Sequence, residues 1–183
     1  MRNDQPQIFT RRRLISLFGA SAVLTLPLSG GYAADEPLKL SPGETPLPDI
    51  PLQTKTGLPL RLAEVSSQAL LVNFWASWCA PCVVELPALE TAAVQLKKKG
   101  IAVILVNLDR GGADVAQPFL DARQINSPLS AYDPKGEWAR AIKLRGLPTT
   151  LLIPPGHETY AVHTGPAEWA APPVLAQVTD YLG

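Results

Sequence analysis

Cysteine occurs twice in this chain of 183 residues, at Cys79 and Cys82, inside the stretch NFWASWCAPCVVELP from Asn73 to Pro87. A disulfide between them closes a four-residue loop. In the chain-entropy picture so short a loop contributes only about 2 kcal/mol, well below a long one. The bond is a poor staple and is better explained as one meant to open and close. That chemistry is thiol–disulfide exchange: one thiolate attacks a disulfide sulfur and a second thiol resolves the mixed disulfide.

The flanking residues say which elements hold the pair. ALLVNFWA, Ala69 to Ala76, is a short apolar run rich in β formers and reads as a buried strand. From Cys79 onward the period changes. Val83, Leu86, Ala93 and Leu96 fall on one helical stripe, and Gly100 after three lysines is a stop signal. The pair therefore sits where a strand delivers the chain into a helix N-terminus. Pro81 is tolerated in the first turn, where its missing donor costs nothing. Pro87 falls inside the helix and is expected to kink it. Unpaired N–H groups and the helix dipole stabilise a thiolate at Cys79. Cys82 lies three residues on, on the same face and less exposed, so Cys79 is the attacking thiol and Cys82 the resolving one.

VNFWASWCAPC resembles the active site of thioredoxin-like proteins. The continuation VVELPALE and the later GLPTTLLI, Gly146 to Ile153, are similar to exported thiol–disulfide reductases of the TlpA/ResA type. The resemblance runs from about Leu47 to Gly183. It implies a thioredoxin fold with an N-terminal hairpin extension and a βα insertion. It also implies Cys79 and Cys82 as the redox pair, Trp78 beside the disulfide, and Pro148 as a cis-proline lying against it. The backbone of Leu147 would pair with an extended client segment. Cytoplasmic thioredoxins carry a buried aspartate in the strand before the motif, where this chain has Asn73. An amide cannot take a proton, so the acid/base role falls to Glu85, which matches an acidic residue of the ResA type and lies one turn after Cys82. The other reading of Glu85 is a solvent-facing charge that complements the helix N-terminus.

The resemblance implies an enzyme without a bound cofactor, its redox centre being the Cys79–Cys82 disulfide. Reduction is favoured over oxidation, because Ala80-Pro81 brings no charge to depress the Cys79 pKa and so make an oxidant. The implied partners are a client protein with a disulfide and a membrane thiol electron donor; apocytochrome c and copper-site assembly proteins are the clients such reductases often serve. A monomer is expected. Two alternatives remain beside it, a disulfide oxidase and a copper(I) chaperone using Cys79, Cys82 and His163 as ligands. Peroxidase chemistry usually has Thr three residues before its Cys, where this chain has Ala76.

The rest of the chain frames that site. Residues 1 to 33 have a signal layout: Arg11, Arg12 and Arg13, an uncharged run from Leu14 to Gly30, then small residues. Thr10 to Ile15 also resembles a twin-arginine signal. An uncleaved membrane anchor is the alternative to cleavage, and the location expected is the periplasm. Past residue 33 there are 12 basic against 15 acidic residues, a balance that argues against a nucleic-acid partner. Residues 34 to 48 read as a linker and 49 to 183 as the domain. Asp49 to Leu62 reads as a hairpin turning at Thr56-Gly57, and Ile101 to Asp109 and Thr149 to Ile153 as strands. Helices are expected at Asp114 to Arg123, at Asp133 to Leu144 with Asp133 as cap, and at Pro173 to Leu182. Strands alternating with helices make an α/β mixed sheet covered on both faces. His157 and His163 read as surface histidines, and Trp138 and Trp169 as packing residues.

Overall fold

The computed structural model describes Met1 and residues 36–43, 46–65 and 69–183; apart from Met1, the signal segment expected at residues 1–33 lies outside the described residues. The chain divides into two compact units, Met1–Gly30 and Gly31–Gly183. The second contains every element below.

Its centre is an eight-stranded mixed sheet. The strands are β1 (Ser41–Pro42), β2 (Leu52–Gln53), β3 (Pro59–Leu60), β4 (Ala69–Trp75), β5 (Ile101–Asn107), β6 (Leu129–Tyr132), β7 (Thr149–Ile153) and β8 (Ala161–Thr164). Their order across the sheet is β1-β8-β7-β4-β5-β6-β2-β3. β4, β5 and β6 are parallel; β7 runs antiparallel beside β4, and β8 antiparallel beside β7. The hairpin β2–β3 extends the edge beyond β6. Its turn closes with Gly57 N–H donating to the Thr54 carbonyl, where Gly57 takes φ 79°, a conformation glycine adopts without a Cβ clash.

All seven residues of β4 are buried, as are all five of β7, so these central strands show no alternation between a buried and an exposed face. Alternation still sorts their side chains between two cores. One face carries Leu71, Trp75, Val103, Leu105 and Leu152 against helices α1 (Ala80–Lys97), α2 (Ala113–Asp121) and α4 (Pro172–Leu182). The other carries Leu70, Val72, Phe74, Ile104 and Leu151 against α3 (Glu137–Ala141) and the 3-10 turn Leu62–Val65. Helix α1 ends as expected before Gly100, which sits at φ 78° and donates to the Lys97 carbonyl.

Two expectations change. The helix expected from Asp133 to Leu144 is only Glu137–Ala141, capped at Gly136. Asp133 is not its N-cap; the chain turns first, and the Asp133 carboxylate then accepts from Glu137 and Ala139 N–H, satisfying donors of the shortened helix. The stretch expected to be a linker is partly docked. Ser41 pairs with Val162, Leu38 is 5% exposed, and the Gln177 amide both accepts from Leu38 N–H at 2.7 Å and donates to its carbonyl at 3.0 Å. An apolar residue between turn-forming prolines carries no periodicity, so composition hid this contact.

The docking makes a measurable claim. Leu38→Ala should lower unfolding free energy by about 2–3 kcal/mol, the cost of truncating a buried leucine, read by chemical denaturation. A free linker would show no change.

Candidate active site

β4 ends at Trp75, and Ala76 to Trp78 carry the chain to Cys79, the N-cap of α1. Cys79 and Cys82 are disulfide-bonded with Cα atoms 5.3 Å apart. The Cys79 sulfur accepts from the Cys82 N–H at 3.4 Å, so a free donor of the helix start points at the sulfur, as thiolate stabilisation there requires. Cys79 is 7% exposed and Cys82 fully buried, while Trp78 beside them stands out at 70%. The Leu147–Pro148 peptide bond is cis. Register pairs Phe74 with Thr149, which sets Leu147–Pro148 by the end of β4 from which the Cys79 loop departs. Leu147 packs against the core cluster that contains both cysteines.

Glu85 is not a surface charge. The buried stripe of α1 is Cys82, Glu85, Leu86, Leu89, Ala92, Ala93 and Leu96, and Glu85 falls in its phase. Three donors from two segments meet its carboxylate. Asn73 Nδ2 of β4 donates to Oε1 at 2.8 Å. Ala167 N–H at 3.1 Å and Trp169 Nε1–H at 2.9 Å, both from the β8–α4 connection, donate to Oε2. Burial pushes the Glu85 carboxyl up from 4.5 to about 7; the Trp169, Asn73 and Ala167 donors act against the rise, and Glu168 adds to it. A carboxyl that titrates near neutrality one turn from Cys82 is equipped to exchange a proton with a thiol there.

Trp169 is thus a site residue rather than packing alone. So are two groups that sequence reasoning passed over. Thr150 accepts from Asn73 at 3.0 Å. Asp109, expected as the last residue of a strand, lies two residues past the end of β5; it is 5% exposed and receives Ser77 N–H at 3.0 Å, Ser77 Oγ–H at 3.1 Å and Asn107 Nδ2–H at 2.7 Å. It ties down the turn two residues before Cys79. The signal available for Asn73 and Thr150 was a polar residue in an apolar strand; nothing local marked Trp169, 84 residues from its partner.

His163 is corrected from surface to core. β8 alternates, placing Ala161 and His163 inward, and the imidazole meets the Trp169 ring edge-on at 5.8 Å. Burial lowers its pKa, with the nearby Lys39 and Pro166 backbone acting the other way. Among the described residues no three His, Cys, Asp or Glu side chains are grouped to hold a metal.

A cysteine pair at a helix start, next to a cis-proline loop on a mixed sheet, defines the thioredoxin-like class. Within it the chain belongs to the AhpC/TSA family, whose profile matches residues 44–159. It is 31% identical over 58% of its length to the thiol-disulfide oxidoreductase ResA of Oceanobacillus iheyensis, and the match spans 54% of that relative. Matches to two further ResA proteins span 64% and 65% of their lengths. Among solved structures, a thiol:disulfide interchange protein DsbE of Chlorobium tepidum superposes with a TM-score of 0.66 at 31% identity, over 78% of this chain and 99% of that one. A secreted thiol-disulfide isomerase of Corynebacterium glutamicum superposes at 0.61 with 26% identity, over 73% and 85%.

The buried carboxyl carries a pH signature. The folded chain holds the Glu85 proton to about pH 7, whereas a free glutamate releases it near 4.5. Between these the folded state binds more protons, so this stabilisation is complete below about 4.5 and is lost as pH rises through 7. The loss amounts to roughly 3 kcal/mol. Denaturation of the oxidised protein at pH 5 and pH 8 should show it, and Glu85→Gln, which cannot titrate, should flatten that part of the curve. An equally steep curve in the variant would remove Glu85 as its source.

Proposed function

We propose that the protein is an exported thiol–disulfide oxidoreductase that acts as a reductase, with Cys79 as nucleophile, Cys82 as resolving thiol and Glu85 as the proton-exchanging group. One observation carries this reading: the disulfide at the start of α1 has a buried, proton-holding carboxyl one turn behind it. The Cys79 thiolate attacks a client disulfide, forming a mixed disulfide and releasing one client sulfur as thiolate, which takes up a proton. Glu85 accepts the Cys82 proton. Cys82 then attacks Cys79 Sγ, the second client sulfur leaves, and two electrons have passed to the client. A thiol donor at the membrane restores the dithiol. No bound cofactor enters these steps.

The remaining parts serve the encounter. The backbone at Leu147, beside cis-Pro148, receives an extended client segment by strand addition, and exposed Trp78 offers an apolar contact. Apocytochrome c and copper-site assembly proteins are clients of suitable chemistry. Export rests on the signal layout of residues 1–33 and is consistent with a structural relative described as secreted. Catalysis needs a single copy. Ala76, at the place of a peroxidase threonine, is fully buried and has no hydroxyl to offer.

Two measurements test the reading. With dithiothreitol supplied, the full chain should reduce insulin; Cys79→Ser should abolish turnover, and Cys82→Ser should accumulate a mixed disulfide through Cys79. Adducts that form through Cys82 alone would reverse the order of attack. Equilibration with glutathione or dithiothreitol should give a potential below about −200 mV, and a value above about −150 mV would make the protein an oxidase instead.

A further inference from the structure

Under the first turns of α1 runs a polar row that the exchange steps do not use. Register aligns Asn73 with Thr150 and Thr150 with His163, across β4, β7 and β8, on a face otherwise lined by Leu71, Trp75, Leu105 and Leu152. Asn73 is fully buried. Its Nδ2 donates twice, to Glu85 Oε1 and to Thr150 Oγ1, while its Oδ1 is buried and accepts no hydrogen bond among the described residues. A buried acceptor without a partner is costly, and a valine or leucine here would avoid that cost in a strand whose other six residues are apolar. The expense is intelligible if what matters is the donor aimed at Glu85.

The surroundings of Glu85 leave that donor little help. The other groups around it are Cys82, three positions back on the same buried stripe of its helix, Thr150 behind Asn73 on the sheet, and Ala167, Glu168 and Trp169 from the β8–α4 connection, with His163 beyond the indole. None of the ion pairs among the described residues involves Glu85. Glu168 adds negative charge. Neutral hydrogen bonds must do what a cation would otherwise do, and among the described residues Asn73 alone donates to Oε1.

We propose that Asn73 is the positioning residue that tunes the proton affinity of Glu85, its amide N–H fixing Oε1 and favouring the ionised form of the buried carboxyl. This rests on the reading of Glu85 as the proton-exchanging group. Aspartate, the residue of cytoplasmic thioredoxins, could not serve here, since two carboxyl groups at this separation cannot both ionise and would titrate as a coupled pair.

The test is a carbon-13 NMR titration of the Glu85 side-chain carboxyl in the oxidised full chain, beside the pH dependence of alkylation of the reduced pair. Asn73→Leu removes the donor and keeps the bulk; the Glu85 midpoint should rise by about one pH unit, as expected for losing one hydrogen bond to a charged group. Thr150→Val, which frees the second anchor of Nδ2, should raise it by less. Asn73→Asp should split the titration into two steps, the upper at least about one unit above wild type. Midpoints within about 0.2 units of wild type in Asn73→Leu, or an unsplit titration in Asn73→Asp should the leucine variant not fold, overturn the proposal. Glu85→Gln separates the two readings. If its alkylation profile matches wild type, the proton role of Glu85 fails, while the NMR midpoints still decide whether Asn73 governs the carboxyl.

Discussion

A carboxylate on the core stripe of a helix is the constraint around which this domain is arranged. Glu85 cannot turn to solvent without moving α1 off the sheet, because it shares its phase with Cys82, Leu86, Leu89 and Leu96. It must therefore be met where it lies. A donor from β4 and two from the β8–α4 connection do so, and in meeting it they bind the sheet centre, the helix and the return to α4 to one point. The same point lies one turn behind the resolving cysteine. A demand of electrostatics, that buried charge be matched by donors, thus doubles as the device that aligns the redox pair.

Cys79 is held from a second direction. The loop from Trp75 to Cys79 leaves the sheet between two fastenings: Leu108 N–H on the Trp75 carbonyl, and the Asp109 carboxylate on both polar groups of Ser77. Asn107 closes the arrangement by donating to Asp109 and accepting its N–H. Beyond this clamp only Trp78 is left outside, largely exposed next to a nearly buried sulfur. The cis-proline loop is tied in likewise, with Gly165 N–H on the Pro148 carbonyl and Thr149 Oγ–H on Gly146. Reactive atoms on short, fastened loops keep their geometry through a reaction cycle that makes and breaks a bond within them.

What was legible in the sequence was what neighbours dictate. The apolar run of β4, the change of period at Cys79, the stop at Gly100 and the strand after Pro148 each announce themselves within a few residues, and each stands where it was expected. The redox pair and its helix start were legible for the same reason. The carboxylate at Glu85 was visible, but its burial was not, since a glutamate on a helix ordinarily faces water and the donors that permit otherwise lie 12, 82 and 84 residues away. His163 was misplaced on the same account: its neighbours are set by the return of β8 along β7. The docking of Leu38 on Gln177, 139 positions distant, leaves no trace in composition at all. At Asp133 the failure was local, because a capping residue followed by proline fits a helix start and a preceding turn equally well.

The two margins of the sheet have a consequence for how the domain meets other chains. β1 at one margin and β3 at the other are each two residues long, and each contains a proline, Pro42 or Pro59, that has no N–H to offer a newcomer. An open ladder at the margin of a sheet invites unintended pairing with another chain or with a second copy. Here both ladders stop within two rungs. A backbone laid along either outermost strand meets a proline in place of a donor, so the two ends of the sheet offer a newcomer few rungs to extend.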